Sequence, residues 1–389
     1  MDAATALEGV RVLELSGQSG AYCGKMFAGL GAHVTLIEPP GGSVLRKKAP
    51  FGAGLPPSEA SLSFAYLAAD KDSIVLDLDT AEGMAEFSSR LANTDLLIVG
   101  DHPAARTLDL AALHQANPRL VITQITPYGA SGPYADYIGD DLALMAMGGL
   151  LTMAGTPDAA PVVAYGEQGL LAADQFAAVA SLAAILDAEA TGVGDLIDVS
   201  IQEAIVMALE NAAQTYQLEG KVRNRTKGAS RAGSGIFPCK DGEIYLLAGG
   251  IGETAMWGNF AAWLESDGIE GAHLFAAHDW VDTAPEAKET FERIFLPYAA
   301  SRTKDELYAK GKEWRVPIAP MSTPADLLEN RQLIYRGFFT APETAQGQAA
   351  IRMPGAPYKL SRTPWRLRNP APALNECVPG LADRAEAVR

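Results

Sequence analysis

Apolar and polar positions over the first 125 residues alternate in a way that predicts an open α/β sheet. Residues 10–15 form a short apolar run closed by the turn Ser16-Gly17-Gln18-Ser19-Gly20, helical spacing holds over 22–30, and 33–38 reads as a second strand. A helix that crosses over between two neighbouring strands covers one face of the sheet, so this βαβ unit implies parallel pairing. Further strands are expected at 73–78, 95–99 and 120–125, with a helix over 81–91. Ligands of such sheets bind off the carboxyl ends of the strands.

The pattern changes at 160–205. Residues 170–186 carry apolar side chains on more than one face with Ala in most gaps, which predicts a helix packed on most of its circumference. Thr191-Gly192-Val193-Gly194 ends it, because glycine supplies the left-handed backbone of a helix C-terminus. Residues 196–201 have strand character and 203–213 return to helical spacing. The approach to the long helix, Ala164-Tyr165-Gly166-Glu167-Gln168-Gly169, reads as the remains of an active-site turn. There Glu167 is a candidate nucleophile or base, with Gly169 leaving backbone N–H groups open to a developing oxyanion.

Beyond residue 215 the texture shifts again. Five basic residues fall in the eleven positions from Lys221 to Arg231 with no acid among them, as a solvated linker or a clamp for phosphate oxygens would have. Residues 236–239 and 243–247 suggest a hairpin around Lys240-Asp241-Gly242, followed by amphipathic helices holding Trp257, Trp263, Trp280 and Trp314. The Pro-rich last sixty residues cannot bury a core alone and should wrap back onto the rest. The expected organisation is a large Rossmann-like domain from 1–215 together with 326–389, a linker at 216–235, and a small α+β domain at 236–325.

A length of 389 residues agrees with two domains. A net charge of -16 argues against nucleic acid or an anionic membrane surface as the main partner. Cys23, Cys239 and Cys377 are odd in number and far apart, which suits free thiols in a reducing cytoplasm. The N-terminus has no basic region of a signal peptide, and the apolar runs are broken by Gly or charge before the length of a membrane span, so a cytoplasmic protein is expected.

Candidate chemistry is sparse. His33, His102, His114, His273 and His278 show no i, i+4 pairing and no C-x-x-C exists, so no metal site is expected. A G-x-S-x-G elbow is also missing. The turn after the first strand, with Glu38 closing the second, has a loose dinucleotide look. Its spacing is not G-x-G-x-x-G, and a plain tight turn is the better reading. Asp140 and Asp141 precede a helix and read first as capping residues, with acid–base chemistry as the alternative.

Taken together, several segments resemble the family III CoA-transferases. They are Leu7-Glu8-Gly9-Val10-Arg11-Val12-Leu13-Glu14, Leu30-Gly31-Ala32-His33-Val34, Ile37-Glu38-Pro39-Pro40-Gly41-Gly42, Lys71-Asp72-Ser73-Ile74-Val75-Leu76-Asp77-Leu78, Asn117-Pro118-Arg119-Leu120, Tyr128-Gly129-Ala130-Ser131-Gly132-Pro133, Thr191-Gly192-Val193-Gly194 and Tyr335-Arg336-Gly337-Phe338-Phe339. The resemblance implies two domains joined by long linkers, an interlocked dimer, and transfer of CoA from an acyl-CoA to a carboxylic acid through an aspartyl anhydride and an enzyme-bound thioester. Coenzyme A is then a substrate, and no permanently bound cofactor is expected. By the same resemblance, Gln18, Ser19, Arg46, Leu76, Asp101, His102, Arg106 and Asp140 fall where relatives contact CoA.

Departures from the family pattern sharpen the expectation. Pro39 stands where an arginine often contacts the base, and Gly100-Asp101 replaces the usual Asn-Phe after the fourth strand. The nucleophilic aspartate aligns with Leu170, and the glycine four positions on aligns with Asp174. Leucine cannot form an anhydride, and a carboxylate three residues upstream at Glu167 would be displaced by several ångströms, at about 3 Å per extended residue. A racemase role would need His where Asp140 stands. The expected protein is therefore a transferase subunit paired with a homologue that keeps its aspartate. The alternatives are a homodimer with Glu167 as nucleophile, a CoA-linked lyase, isomerase or hydrolase using Glu167, Asp140 or Asp141, and a CoA-binding protein without chemistry.

Overall fold

In a computed structural model, residues 5–52, 60–225, 232–249, 254–276, 286–342 and 351–377 are described. The chain divides into two compact units, one of residues 1–152, 162–223 and 332–389, the other of 153–161 and 224–331.

The first unit is built on six strands: β1 (Arg11–Leu15), β2 (His33–Glu38), β3 (Lys71–Val75), β4 (Leu96–Val99), β5 (Val121–Thr126) and β6 (Leu196–Ser200). They lie in the order β3-β2-β1-β4-β5-β6, and every pairing is parallel. Between them run α1 (Ala21–Gly29), α2 (Leu62–Leu67), α3 (Ala81–Leu91), α4 (Leu110–Ala116), α5 (Asp141–Met147), α6 (Leu150–Met153) and α7 (Gln168–Thr191), with α8 (Ile201–Met207) and α9 (Ala212–Glu219) after β6.

Successive strand residues point to opposite faces, and both faces are covered. Val12, Val34, Leu96, Ile98 and Val121 pack with α1, α7 and α8 on one side. Leu13, Leu15, Ile37, Leu97, Val99 and Ile122 pack with Phe87, Leu91 and Leu110 of α3 and α4 on the other.

The third strand lies two to three residues earlier than the apolar run 73–78 suggested. Lys71 and Asp72 look like surface residues, yet both are buried through partners. The Lys71 ammonium, 1% exposed, donates to Glu14 Oε1 and Oε2 at 2.9 and 2.6 Å and to the Ala21 carbonyl at 2.8 Å. Asp72 pairs with His33 at 2.7 Å. Burial pushes the Glu14 carboxyl up and the Lys71 charge pulls it back. Gly24, inside α1, makes room for this pair: a Cβ there would stand 1.7 Å from Glu14 Oε2.

Helix α7 buries Ala173, Ala177, Ser181, Ile185 and Ala188 and leaves Phe176, Val179 and Leu186 exposed. Its 24 residues include an 18-residue window of mean hydropathy 1.7, enough to cross a membrane by length and composition alone. Asp174 and Asp187 break its apolar run, and Asp174 is held by backbone donors within the fold. The α7 residues Phe176, Val179 and Leu186, and with them Leu196, Val206 and Met207, are exposed apolar side chains.

Helical spacing at 203–213 predicted one helix where there are two. The chain turns between α8 and α9, with Glu210 at a positive φ of 48°.

The C-terminal stretch does wrap back, within the first unit. Arg366 N–H donates to the Gly29 carbonyl at 3.1 Å, and Arg368 and Asn369 N–H donate to the Asp70 carboxylate. Along β3, Ser73 N–H donates to the Glu376 carbonyl at 2.9 Å and Val75 N–H to Asn375 Oδ1 at 3.1 Å.

The second unit contains an antiparallel sheet of β7 (Ser234–Cys239), β8 (Gly242–Leu247) and β9 (Ile318–Pro320), with the hairpin at Lys240-Asp241 as expected. Helices α10 (Thr254–Ser266), α11 (Ala287–Ala300) and α12 (Lys304–Trp314) accompany it. Its core is aromatic: Phe237, Trp257, Phe260, Trp263, Phe275, Phe291, Phe295 and Tyr298 are all buried. Trp280 and His278 lie outside the described residues.

Candidate functional site

The sheet places every CoA-contact candidate at or just beyond a strand's carboxyl end. Gln18 and Ser19 follow β1, Arg46 lies in a 3-10 turn (Val44–Lys47) after β2, Leu76 follows β3, Asp101, His102 and Arg106 follow β4, and Asp140 precedes α5 in the loop after β5. The strand order reverses direction between β1 and β4, the crevice where open α/β sheets bind ligands. Residues on both sides of that crevice touch: Asp101 accepts N–H bonds from Gly17 at 2.9 Å and Ser19 at 3.0 Å, and the Ser19 hydroxyl at 3.3 Å.

A second carboxylate completes the first turn. Asp174, from α7, accepts the N–H groups of Gly20 at 2.8 Å, Tyr22 at 2.9 Å and Cys23 at 3.4 Å. Burial pushes its carboxyl up to about 7, against the pull of these three donors. Backbone donors that a dinucleotide protein turns toward a pyrophosphate are thus engaged by side chains of this chain. The tight-turn reading of Ser16 to Gly20 agrees with this geometry.

Gln18 is left pointing at a charged pair. The Lys48 ammonium donates to both Gln18 Oε1 and Glu167 Oε1, and Lys48 and Glu167 are each about two-thirds buried. Glu167 is the N-cap residue of α7, but its side chain does not cap the helix. That role falls to Asp141, whose Oδ1 accepts the Leu170 N–H at 3.0 Å and which also receives the Gly169 N–H. Burial raises the Asp141 carboxyl, and these two donors oppose the rise. The expectation that Gly169 presents free N–H groups to an oxyanion is therefore corrected: a carboxylate of the chain already holds them. Leu170, at the position of the expected nucleophile, is buried in the core beside Ala173 and Ala177.

The remaining candidates divide. Asp140 caps α5, accepting the Ala143 N–H at 2.8 Å, as the capping reading expected. Arg46 is committed to Glu38 through two bonds of 2.8 and 2.7 Å, to the Pro372 carbonyl at 3.1 Å, and to the Phe64 ring 3.9 Å away. His102 Nδ1 accepts the Ala104 N–H at 3.1 Å, which places the ring proton on Nε2, and burial holds its pKa down. Leu76 is half-buried beside the α3 core, and Arg106 is exposed with no ion pair among the described residues.

After β5, the rings of Tyr134 and Tyr137 stack 5.0 Å apart and Tyr128 meets both edge-on. Of the basic stretch after α9, Lys221 pairs with Glu219 at 2.9 Å and positions 226–231 lie outside the described residues. Among the described residues no group of three or more His, Cys, Asp or Glu could hold a metal ion.

Three site residues were not assigned these roles from sequence. Lys48 sits in a Lys47-Lys48 pair with no motif around it. Asp174 was visible only as a departure from glycine. Asp141 was read as a cap for α5, whereas it caps α7 from 29 residues away.

The model of "CoA-transferase family III" matches residues 7–377 of this chain. The chain is 39% identical over 373 residues to the succinyl-CoA:(R)-benzylsuccinate CoA-transferase subunit BbsE of Thauera aromatica, covering 94% of this chain and 91% of that protein. It is 30% identical to the succinyl-CoA–L-malate CoA-transferase alpha subunit of Chloroflexus aurantiacus, covering 96% and 87% of the two chains. A crystal structure of a CAIB/BAIF family protein from Brucella suis superposes with a TM-score of 0.84 at 25% identity, covering 98% of this chain and 99% of that one.

Proposed function

This chain belongs to CoA-transferase family III, and from that premise we propose that it is the subunit of a heteromeric transferase that lacks the nucleophile. The complex moves CoA from succinyl-CoA to a dicarboxylic acid bearing an aromatic group, and a homologous subunit with aspartate at the position of Leu170 performs the covalent steps. The observation that carries this reading is the state of the first turn of α7. Leu170 offers no oxygen, its N–H is capped by Asp141, and the neighbouring carboxylate, Glu167, is tied to Lys48. An oxygen engaged by an ammonium has its lone pairs stabilised and attacks a thioester carbonyl poorly.

The reaction needs an enzyme carboxylate to attack the thioester carbonyl and expel CoA as thiolate, and the thiolate to attack the enzyme carbonyl of the resulting anhydride and release the donor acid. The acceptor carboxylate then attacks the enzyme thioester, so that the thiolate, expelled again, takes the acceptor acyl group and frees the enzyme carboxylate. In this chain Gln18, Lys48 and Glu167 supply polar groups without a free nucleophile, which suits binding and orientation. The exposed residues of α7, β6 and α8 are suited to burial against a homologous chain. Stacked Tyr134 and Tyr137 beside the carboxyl ends of the strands suit an aromatic acid, and the similarity to a benzylsuccinate transferase subunit supports that class. A CoA-linked lyase or isomerase using Asp140 has less support, because that carboxylate caps α5.

The test is to purify the chain alone and co-expressed with a homologue carrying the aspartate, and to follow transfer of CoA from succinyl-CoA to benzylsuccinate. The chain alone should be inactive and the complex active, with Glu167→Gln in the complex keeping its rate within about threefold, since that change removes a binding contact and no bond-making group. Exchange by the pure chain, with hydroxylamine trapping an acyl group on Glu167, would instead establish it as a self-sufficient transferase.

A further inference from the structure

The C-terminal stretch of the first unit forms a concavity that shares no residue with Gln18, Lys48 and Glu167. It encloses about 450 Å³ and is walled by Arg336, Phe338, Tyr358, Lys359, Trp365 and Arg366 together with small residues. Its frame is the short pair β10 (Phe339–Thr340) and β11 (Met353–Pro354), closed by Gly355 N–H donating to the Phe338 carbonyl at 2.8 Å. Trp365 is seated on α1 at Gly29, where a Cβ would stand 1.7 Å from the indole nitrogen.

The charge of this wall is unusual for this protein. In a chain of net charge -16, three cations and, among the described residues, no carboxylate line one cavity. Arg336 and Lys359 are in no ion pair among the described residues, so their charges are not neutralised from within. A fourth cation lies behind Trp365: the buried Lys25 ammonium has no hydrogen-bond partner and sits 5.7 Å from the Trp365 ring and 4.3 Å from that of Tyr66. A wrapping segment needs neither this clustering of cations nor three aromatic side chains around the same space. The volume falls in the range of small-molecule sites.

We propose that this cavity binds a nucleotide, its planar base against Trp365, Tyr358 and Phe338 and its phosphates on Arg336, Lys359 and Arg366. Arginine presents a fork that matches phosphate oxygens, and an aromatic ring offers the base a face on which to stack. The site is separate from the carboxyl ends of the strands, so it holds or fails independently of the transferase reading.

Trp365 is a local reporter, since Trp257, Trp263, Trp280 and Trp314 all belong to the second unit. The probe is ADP, titrated into the full chain by calorimetry and by the fluorescence difference between the parent and Trp365→Phe. Saturable binding is expected, with quenching carried by Trp365, weaker binding of pyrophosphate and of adenosine than of ADP, and weakening as salt rises. The double variant Arg336→Gln/Lys359→Gln should raise the Kd by about tenfold or more, the effect of losing charge-assisted hydrogen bonds, whereas Arg90→Gln, on the exposed side of α3, should leave it unchanged. The proposal is overturned if ADP does not bind saturably in the millimolar range, if adenosine binds as tightly as ADP, or if the double variant leaves both the Kd and the Trp365 quenching unchanged.

Discussion

Replacing Lys71 with Met will destabilise the chain by about 3–5 kcal/mol, the usual loss when one partner of a buried ion pair is removed and the other stays. Glu14 is 0% exposed and Lys71 holds both of its oxygens, so in the variant the carboxyl faces the core with only the Ser16 hydroxyl as partner. Burial then dominates and its folded pKa rises further above the unfolded value. A group raised in this way stabilises the fold only while protonated, so the deficit will grow as pH climbs above the ordinary range of a glutamate. Urea unfolding of Lys71→Met, Glu14→Gln and the double variant at several pH values measures this. The double variant should recover much of the loss, and equal stability of the parent and Lys71→Met would show that the pair does not hold the sheet to α1.

Asp174→Ala will cost about 3 kcal/mol or more, because three N–H groups at the start of α1 lose their acceptor and each orphaned buried donor costs about 1–3 kcal/mol. Asp174→Gly, the residue the family pattern would place there, should be no milder. The pH dependence follows from the raised carboxyl. With a folded pKa of about 7 against an unfolded value of about 3.9, the native state binds more protons in that interval. Stability contributed by this group is therefore present at low pH, declines as pH rises from about 4 to about 7, and is level beyond.

The charged and titratable neighbours of Asp174 are Glu14 and the Cys23 thiol. Asp174→Asn leaves both in place. Subtracting its urea-unfolding profile from that of the parent isolates the carboxyl, and a difference that stays flat between pH 4 and 7 would show that Asp174 remains ionised in the folded protein.

Much of the first unit was legible because its strands are buried on both faces and its helices carry strong periodicity. The strand at His33–Glu38 and the helix at Ala81–Leu91 lie where apolar spacing puts them. The third strand slipped because a strand's apolar run need not coincide with its ladder. Lys71 and Asp72 enter the sheet through ion pairs that no local pattern announces. The same blindness applies at the site. Spacing exposed Glu167 and the turn around Gln18, and the resemblance exposed Leu170, but the Lys48 contact joins positions 119 residues apart. The Asp174 clamp spans 154. Polar partnerships at such separations are a property of the folded topology, and one sequence carries no period from which to read them.

Strand β3 lies at the border of the sheet, and its outward amides are met by Asn375 and Glu376, with Val75 separated by 300 residues from its acceptor. During synthesis at ~5–20 residues per second, the Rossmann-like half therefore emerges from the ribosome with a bare strand border for roughly 15–60 s before its cover is made. Nascent chains stalled or cut short ahead of position 366 should be captured by chaperones or by one another through that border. Folding of the first unit is accordingly gated by the arrival of residues 366–376.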